Sequence, residues 1–336
     1  MYKPSLNRPS LRSAAMGAIA LSVLLCGASA SAADEFAPLL KDKKYAEAER
    51  AASSRLAREP NNPDALIAKS TALLEGTYGR IEEAVKLAET CVAAYPANAR
   101  CHLALGNALG TKAMSASMLS AMTYIGTIRD SFKKAVELDP ANLDARFSLL
   151  QFYMQAPGMA GGGKDKAAAL ATQTASVSAD AGKLMTALID LHAGNSAKAE
   201  AAALGVQATP GEVLAENQAD ILYNVAARYV KDKKWSDAER IVKVMQQRLP
   251  DEQLTMYGTG RLHQEQGKHR EAVPAFEQAL AKQPRPHIYY RLGQSLQALG
   301  DKPKAAAAYE KALAFKAGLV KDQRADAEVQ LKSLKG

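Results

Sequence analysis

Residues 158–164 read Gly-Met-Ala-Gly-Gly-Gly-Lys, the G-x-x-x-x-G-K string of a loop that cradles nucleotide phosphates. Phosphate chemistry needs three more things: a strand feeding the turn, a helix leaving it, and a Ser or Thr after the lysine to reach Mg²⁺. Lys164 is followed instead by Asp165, whose carboxylate repels phosphate. The segment feeding the turn sets Phe147, Leu150 and Met154 on one face of a helix, not in the alternation of a strand. The string therefore does not predict nucleotide hydrolysis. It predicts a turn: Pro157 stops one helix, and the glycines that follow permit backbone angles other residues resist. Backbone N–H groups of Gly161, Gly162, Gly163 and Lys164 at the start of the next helix would suit an anion, and the same residues serve as a plain connector. Both readings stand at this point.

Other residues with chemical potential do not assemble into a site. Cys91, Cys101 and His102 are one ligand short of a closed zinc shell. His192, His263, His269 and His287 make no H-E-x-x-H pair, and no G-x-S-x-G elbow is present. Acidic pairs such as Glu82-Glu83 belong to solvated surface. The expectation is a chain with no catalytic residues, no metal and no cofactor.

The elements that would position these residues are set by internal repetition. The segments KKWSDAERIVKVMQQRLPDE, GKHREAVPAFEQALAKQPRP and GDKPKAAAAYEKALAFKAG align, with Pro250 and Pro284 separated by 34 residues. An alanine recurs at Ala238, Ala272 and Ala305. Four residues on stand Val242, Phe276 and Tyr309, and three further Met245, Ala279 and Ala312. That i, i+4, i+7 spacing is one face of a helix. The preceding helices, such as RLGQSLQALG at 291–300, end at Gly267 and Gly300, suited to helix C-caps. This pattern resembles the tetratricopeptide repeat family.

The upstream half stretches the period: Pro60, Pro96 and Pro140 stand 36 and 44 residues apart, and the extra residues fall in 111–129, which predicts longer helices. Residues 101–170, with His102-x-x-Leu105-Gly106, Gly110, FKKAVELDP and FYMQAPGMAGGGKDKA, are similar to a group of exported bacterial tetratricopeptide proteins. That resemblance implies export and carries no assigned activity.

The predicted fold is all-α, a tetratricopeptide-type helix-pair solenoid winding as a right-handed superhelix. It has about seven helix pairs and a capping helix over 317–336. Residues 34–204 are expected to form an irregular N-terminal array, 205–218 a linker in which Pro210 starts a helix, and 219–336 a regular C-terminal array. In this register Cys91 lies late in one helix and Cys101 early in the next, across a tight turn at Pro96. A disulfide is the expected outcome in an oxidising compartment, and two buried thiols are the alternative.

Residues 1–33 read as a cleaved export signal: Lys3, Arg8 and Arg12, an apolar run from Ala14 to Gly27, then Ala-Ser-Ala sites at 28–32. Leu25 before Cys26 argues against lipidation. The expected location is the periplasm, with no stable membrane insertion. Losing the leader lowers the net charge from +8 to +5, with charges interleaved, so no nucleic-acid partner is expected.

The resemblance implies that the first helix of each pair lines a concave face, with its fifth position in the groove. Read so, the C-terminal groove offers Tyr223, Tyr257 and Tyr290, with Asn224, Arg261, Gln264, Arg291 and Gln294 nearby. Tyrosine, arginine and amides suit a peptide or protein partner in the cell envelope; the same aromatic positions also serve packing between repeats. The N-terminal groove reads Ile67, Leu103 and Phe147, whose apolar character would suit a small apolar ligand or lipid. The leading expectation is a non-catalytic periplasmic scaffold, and the alternative is a carrier of an apolar small molecule.

Overall fold

A computed structural model describes residues 35–76, 80–207, 212–315 and 318–335. The export signal at 1–33 and the helix start expected at Pro210 lie outside the described residues. All the described helices belong to one compact unit, Phe36–Gly336.

Among the described residues the chain is helical throughout, with no strand. The helices pair in order: α1 (Ala37–Lys41) with α2 (Tyr45–Arg58), α3 (Pro63–Glu75) with α4 (Ile81–Ala94), and α5 (Ala99–Ser115) with α6 (Met118–Leu138). Next come α7 (Leu143–Gln155) with α8 (Lys164–Ala175), α9 (Ala179–His192) with α10 (Ser196–Leu204), and α11 (Glu212–Lys231) with α12 (Trp235–Arg248). The regular end is α13 (Gln253–Glu265) with α14 (His269–Lys282), α15 (Pro286–Ala298) with α16 (Lys302–Ala314), and the cap α17 (Lys321–Lys335). Seven full pairs follow a truncated first pair, as the repeat pattern predicts.

Two turn designs recur. Within five of the pairs, the chain reverses through one residue in the left-handed region: Gly194, Gly267 and Gly300 at φ 75–91°, but Lys43 and Lys233 at φ 56°. At each of these turns the next N–H reaches back to a carbonyl five residues earlier, as in Lys268 to His263 at 2.8 Å and Lys234 to Tyr229 at 2.8 Å. At four junctions between pairs a side chain caps the new helix: Asn62, Asn98, Asn142 and Ser178 accept first-turn N–H groups of α3, α5, α7 and α9, whereas α13 and α15 begin without such a cap.

Small residues set the helix spacing. Ala238, Ala272 and Ala305 are fully buried, as are Phe276 and Tyr309 beside them. Phe276 lies so close to Gly260 that a Cβ there would stand 2.6 Å from the ring; Tyr309 faces Gly293 in the same way at 2.9 Å. Upstream, Phe132 faces Gly106, and a Cβ would stand 2.4 Å away. The glycine-to-aromatic interval there is ten residues longer than in the regular repeats, the same excess as in the interval from Pro96 to Pro140 over the regular 34. The whole insertion therefore lies in the hairpin between α5 and α6, which run to 17 and 21 residues against 13 or 14 in the regular pairs.

The linker expected at 205–218 is not a break in the core. Residues 212–218 already belong to α11. Val206 is buried, and buried Gln218 donates from Nε2 to the carbonyls of Ala203 and Val206 at 2.9 and 3.0 Å. One apolar cluster runs from Leu66 through Ala203, Ile221 and Met245 to Leu262, and a second from Tyr257 to Ala327. The change of core falls at α13.

Successive odd-numbered helices touch along much of the stack: α3 with α5, α7 with α9, α9 with α11, α11 with α13. Even-numbered helices make no comparable contact with each other, so the stack bends toward its odd-numbered face. The bend brings distant repeats together. Glu75 at the end of α3 pairs with Arg285 before α15 at 2.8 Å, and Lys43 pairs with Glu216 of α11 at 3.3 Å. In a solenoid whose repeats otherwise meet only neighbours, these are closing contacts.

Candidate functional site

The C-terminal odd-numbered helices carry the predicted tyrosines, and the structure turns two of them inward. Tyr257 and Tyr290 are each 7% exposed. Tyr257 lies 5.5 Å from Tyr223 and edge-on to His287 at 5.1 Å, centroid to centroid, and Tyr290 packs on Tyr309 at 6.1 Å. The rings form inter-repeat packing more than a run of open rungs.

The polar residues beside them reach further out and bond to each other. Arg261 donates from Nη1 to the Tyr223 hydroxyl at 3.0 Å and from Nη2 to Glu265 at 3.4 Å. Arg291 donates from Nη1 to Gln264 Oε1 at 3.0 Å and to the same Glu265 oxygen at 3.1 Å. Gln264 returns two bonds from Nε2, to the Arg291 carbonyl and to Ser295 Oγ, both at 2.8 Å. Five residues, Tyr223, Arg261, Gln264, Glu265 and Arg291, thus tie α11, α13 and α15 into one network; Glu265 was not among the residues expected from sequence. Gln294 instead donates to the Tyr290 hydroxyl at 2.8 Å, which donates to Asp326 of α17 at 2.7 Å. Asn224 bonds within its own helix, to Asp220.

The electrostatics of the network follow from burial. Burial works against the Arg261 charge, but Tyr223 and Glu265 more than offset it. Burial pushes the Tyr257 hydroxyl well up, reinforced by Tyr223. Burial, then Arg285, Arg261 and Arg291, lower His287 to about 4, so it is neutral at pH 7. The Nε atoms of Arg261 and Arg291 are buried without a partner, while about a fifth of each side chain remains exposed, 23% and 22%.

The glycine turn is closed on itself. Gly161 and Gly163 take φ 92° and 134°, and a Cβ on Gly162 would overlap the Ala156 carbonyl. Their N–H groups already donate to carbonyls: Gly161 to Gly158, Gly162 to Pro157 and Gly163 to Tyr153, at 2.8–3.2 Å. In this conformation none of the three is available to an anion. Lys164 opens α8 and Asp165 sits in its first turn.

Cys91 of α4 and Cys101 of α5 are joined, with Sγ atoms 1.98 Å and Cα atoms 5.4 Å apart. Neighbouring His102 is held by the turn, its Nε2 2.9 Å from the Pro96 carbonyl. Among the described residues no group of three or more His, Cys, Asp or Glu side chains could hold a metal ion, and no helix is long and apolar enough to cross a membrane.

The N-terminal half holds a cleft of about 670 Å³ between α3, α5, α6 and α7, with Glu216 of α11 also in its lining. Ile67, Leu103 and Phe147, expected to line the groove here, do not line it. Ile67 and Phe147 are in the core instead. The residues four positions on, Thr71, Asn107 and Gln151, face the cleft. The expected apolar lining is thus corrected to a mixed one. The register error has a physical source: the fifth helix position meets the neighbouring pair, and one further turn meets the groove. The same offset in α13 leads from buried Tyr257 to partly exposed Arg261.

Residues 257–319 match the family model of the tetratricopeptide repeat. No curated protein is similar in sequence to the chain. Among solved structures, yeast Tom70 superposes with a TM-score of 0.59 at 12% identity, covering 88% of this chain; the chain spans 59% of that protein's length. A tetratricopeptide repeat protein from Parabacteroides merdae aligns over 90% of this chain and 97% of its own, at 13% identity and a TM-score of 0.41.

Proposed function

We propose that this chain, a tetratricopeptide-type solenoid whose segment 257–319 carries the family's repeats, is a non-catalytic scaffold that holds a protein or peptide partner on its concave face. Helix-pair solenoids of this type present extended concave surfaces suited to that task. The reading places the chain in the periplasm, within an assembly of the cell envelope, on the strength of its leader-like first 33 residues.

One observation carries the proposal. Three successive repeats hold a continuous polar row, Tyr223–Arg261–Glu265–Arg291, fixed in position by its own bonds and open along one edge. A row held in place before binding loses little side-chain freedom on binding. Partner carbonyls or a carboxylate would accept from the guanidinium edges. Asn224, Gln264 and Gln294 support the row's helices, and Tyr257 and Tyr290 support its floor.

That division of labour dictates the test. Truncating Tyr257 or Tyr290 would open a cavity costing about 3–5 kcal/mol, confusing lost folding with lost binding. Arg261→Ala/Arg291→Ala is the informative variant. Crosslinked capture from envelope extracts, run well below both melting midpoints because the variant also loses the bonds to Tyr223, Gln264 and Glu265, should recover a partner with the native chain and lose it with the variant. Equal capture by both would remove the row from the binding surface.

A further inference from the structure

We propose that the cleft between α3, α5, α6 and α7 is a second seat on this scaffold, one that takes a short, uncharged, extended peptide segment and grips it by its main chain. The inference rests on the scaffold reading and adds to it a location and a ligand chemistry.

The cleft is a product of the insertion. The lengthened α6 lays Ala121, Ile125, Ile128 and Phe132 along it, at the i, i+4, i+7, i+11 positions of one helical face. Helices α5 and α7 stand apart along most of their length, meeting where Ser148 Oγ donates to Asn107 Oδ1 at 3.4 Å, and the stack opens beside that bond. A volume of about 670 Å³ lies within the range of sites that enclose a ligand. The apolar stripe of α6 provides the floor.

The wall is polar and uncharged. Asn107 of α5 and Ser148, Gln151 and Gln155 of α7 line it. Gln151 and Gln155 are exposed and engage no other described residue. A carboxamide both donates and accepts, so it can pair with both faces of a peptide unit. The rise of an α-helix sets Gln151 and Gln155 about 6 Å apart along α7. An extended chain repeats its same-side peptide groups every ~6.6 Å, so a strand lying along α7 would meet the two glutamines in step.

Charge selects the occupant. The two charged residues in the lining are Glu75 and Glu216. Each is already answered from a distant repeat, by Arg285 at 2.8 Å and by Lys43 at 3.3 Å. An anionic segment would meet two carboxylates, and a cationic one would approach Arg285 and Lys43, which already answer those carboxylates. A neutral segment faces neither cost.

The test uses the whole chain and end-capped, dye-labelled peptides that alternate Ala or Leu with Ser or Asn. Control peptides carry Glu or Lys at the polar positions. Two variants block the seat differently. Gln151→Ala/Gln155→Ala removes the amides. Gly110→Leu fills the cleft, since a Cβ at Gly110 would meet nothing within 4 Å. By fluorescence anisotropy the neutral peptides should bind better than either charged set, and the double variant should weaken them about tenfold. Gly110→Leu should abolish binding. Arg261→Ala/Arg291→Ala should leave it unchanged, which separates this site from the C-terminal row. Charged peptides binding as well as neutral ones, no binding at all, or binding indifferent to the glutamine variant would overturn the proposal while leaving the row untouched. So would a co-purifying lipid that Gly110→Leu expels, which would assign the cleft to a small apolar ligand.

Discussion

Lys43 and Lys233 occupy, at φ 56°, the turn position where three other repeats place glycine. A side chain in the left-handed region costs about 1–2 kcal/mol, and Gly returns part of that through its freer unfolded chain. Lys233→Gly should therefore stabilise the protein by about 1 kcal/mol, readable as a higher midpoint in urea. Lys43→Gly should gain less, because Lys43 also pairs with Glu216. His287 gives a pH signature. Its folded value of about 4 lies below the ordinary 6.5, so the unfolded chain binds its proton more readily. Stability from this residue is complete above pH 6.5 and is lost as pH falls toward 4, by on the order of 3 kcal/mol. The denaturation midpoint of His287→Gln should fall less steeply over that window than that of the native chain.

The hairpin of α5 and α6 shows what the sequence can and cannot disclose about an element. Its length was legible from proline spacing, and its helical character from the residues of 111–129. That the lengthening opens a cleft was not legible, because the cleft depends on how far α5 and α7 splay, a tertiary quantity. The alternation of Ala with Phe276 or Tyr309 disclosed the pair interface, since the same offsets recur. Groove residues were harder: burial alternates within one helical turn, so an offset of four exchanges Phe147 for Gln151, core for surface. The polar network around Arg261 was hidden because Glu265 gains its meaning only when Arg291 arrives from the next repeat. The disulfide between α4 and α5 closes a short loop, and the chain-entropy relation assigns it about 3 kcal/mol. Reduction should lower the unfolding free energy by about that amount, read from urea denaturation, and Cys91→Ala/Cys101→Ala should be insensitive to reductant.

At the scale of the molecule, the ion pairs Glu75–Arg285 and Lys43–Glu216 close the bend. Exposed pairs contribute about 0–1 kcal/mol each, and salt screens them over roughly 10 Å at moderate ionic strength. Arg285→Glu should therefore expand the particle in small-angle X-ray scattering, and Arg285→Glu/Glu75→Arg should restore the native radius. An unchanged radius for Arg285→Glu would mean that packing of neighbouring repeats alone holds the bend. The central claim is that the concave face receives a partner, and a photocrosslinking amino acid placed site by site tests it most directly. Positions 151 and 291 face inward, whereas positions 243 and 277 are exposed on the even-numbered helices α12 and α14. The account predicts partner adducts from 151 or 291 in the intact envelope and none from 243 or 277. Adducts from 243 and 277 alone would contradict it, placing the partner on the outer face of the stack.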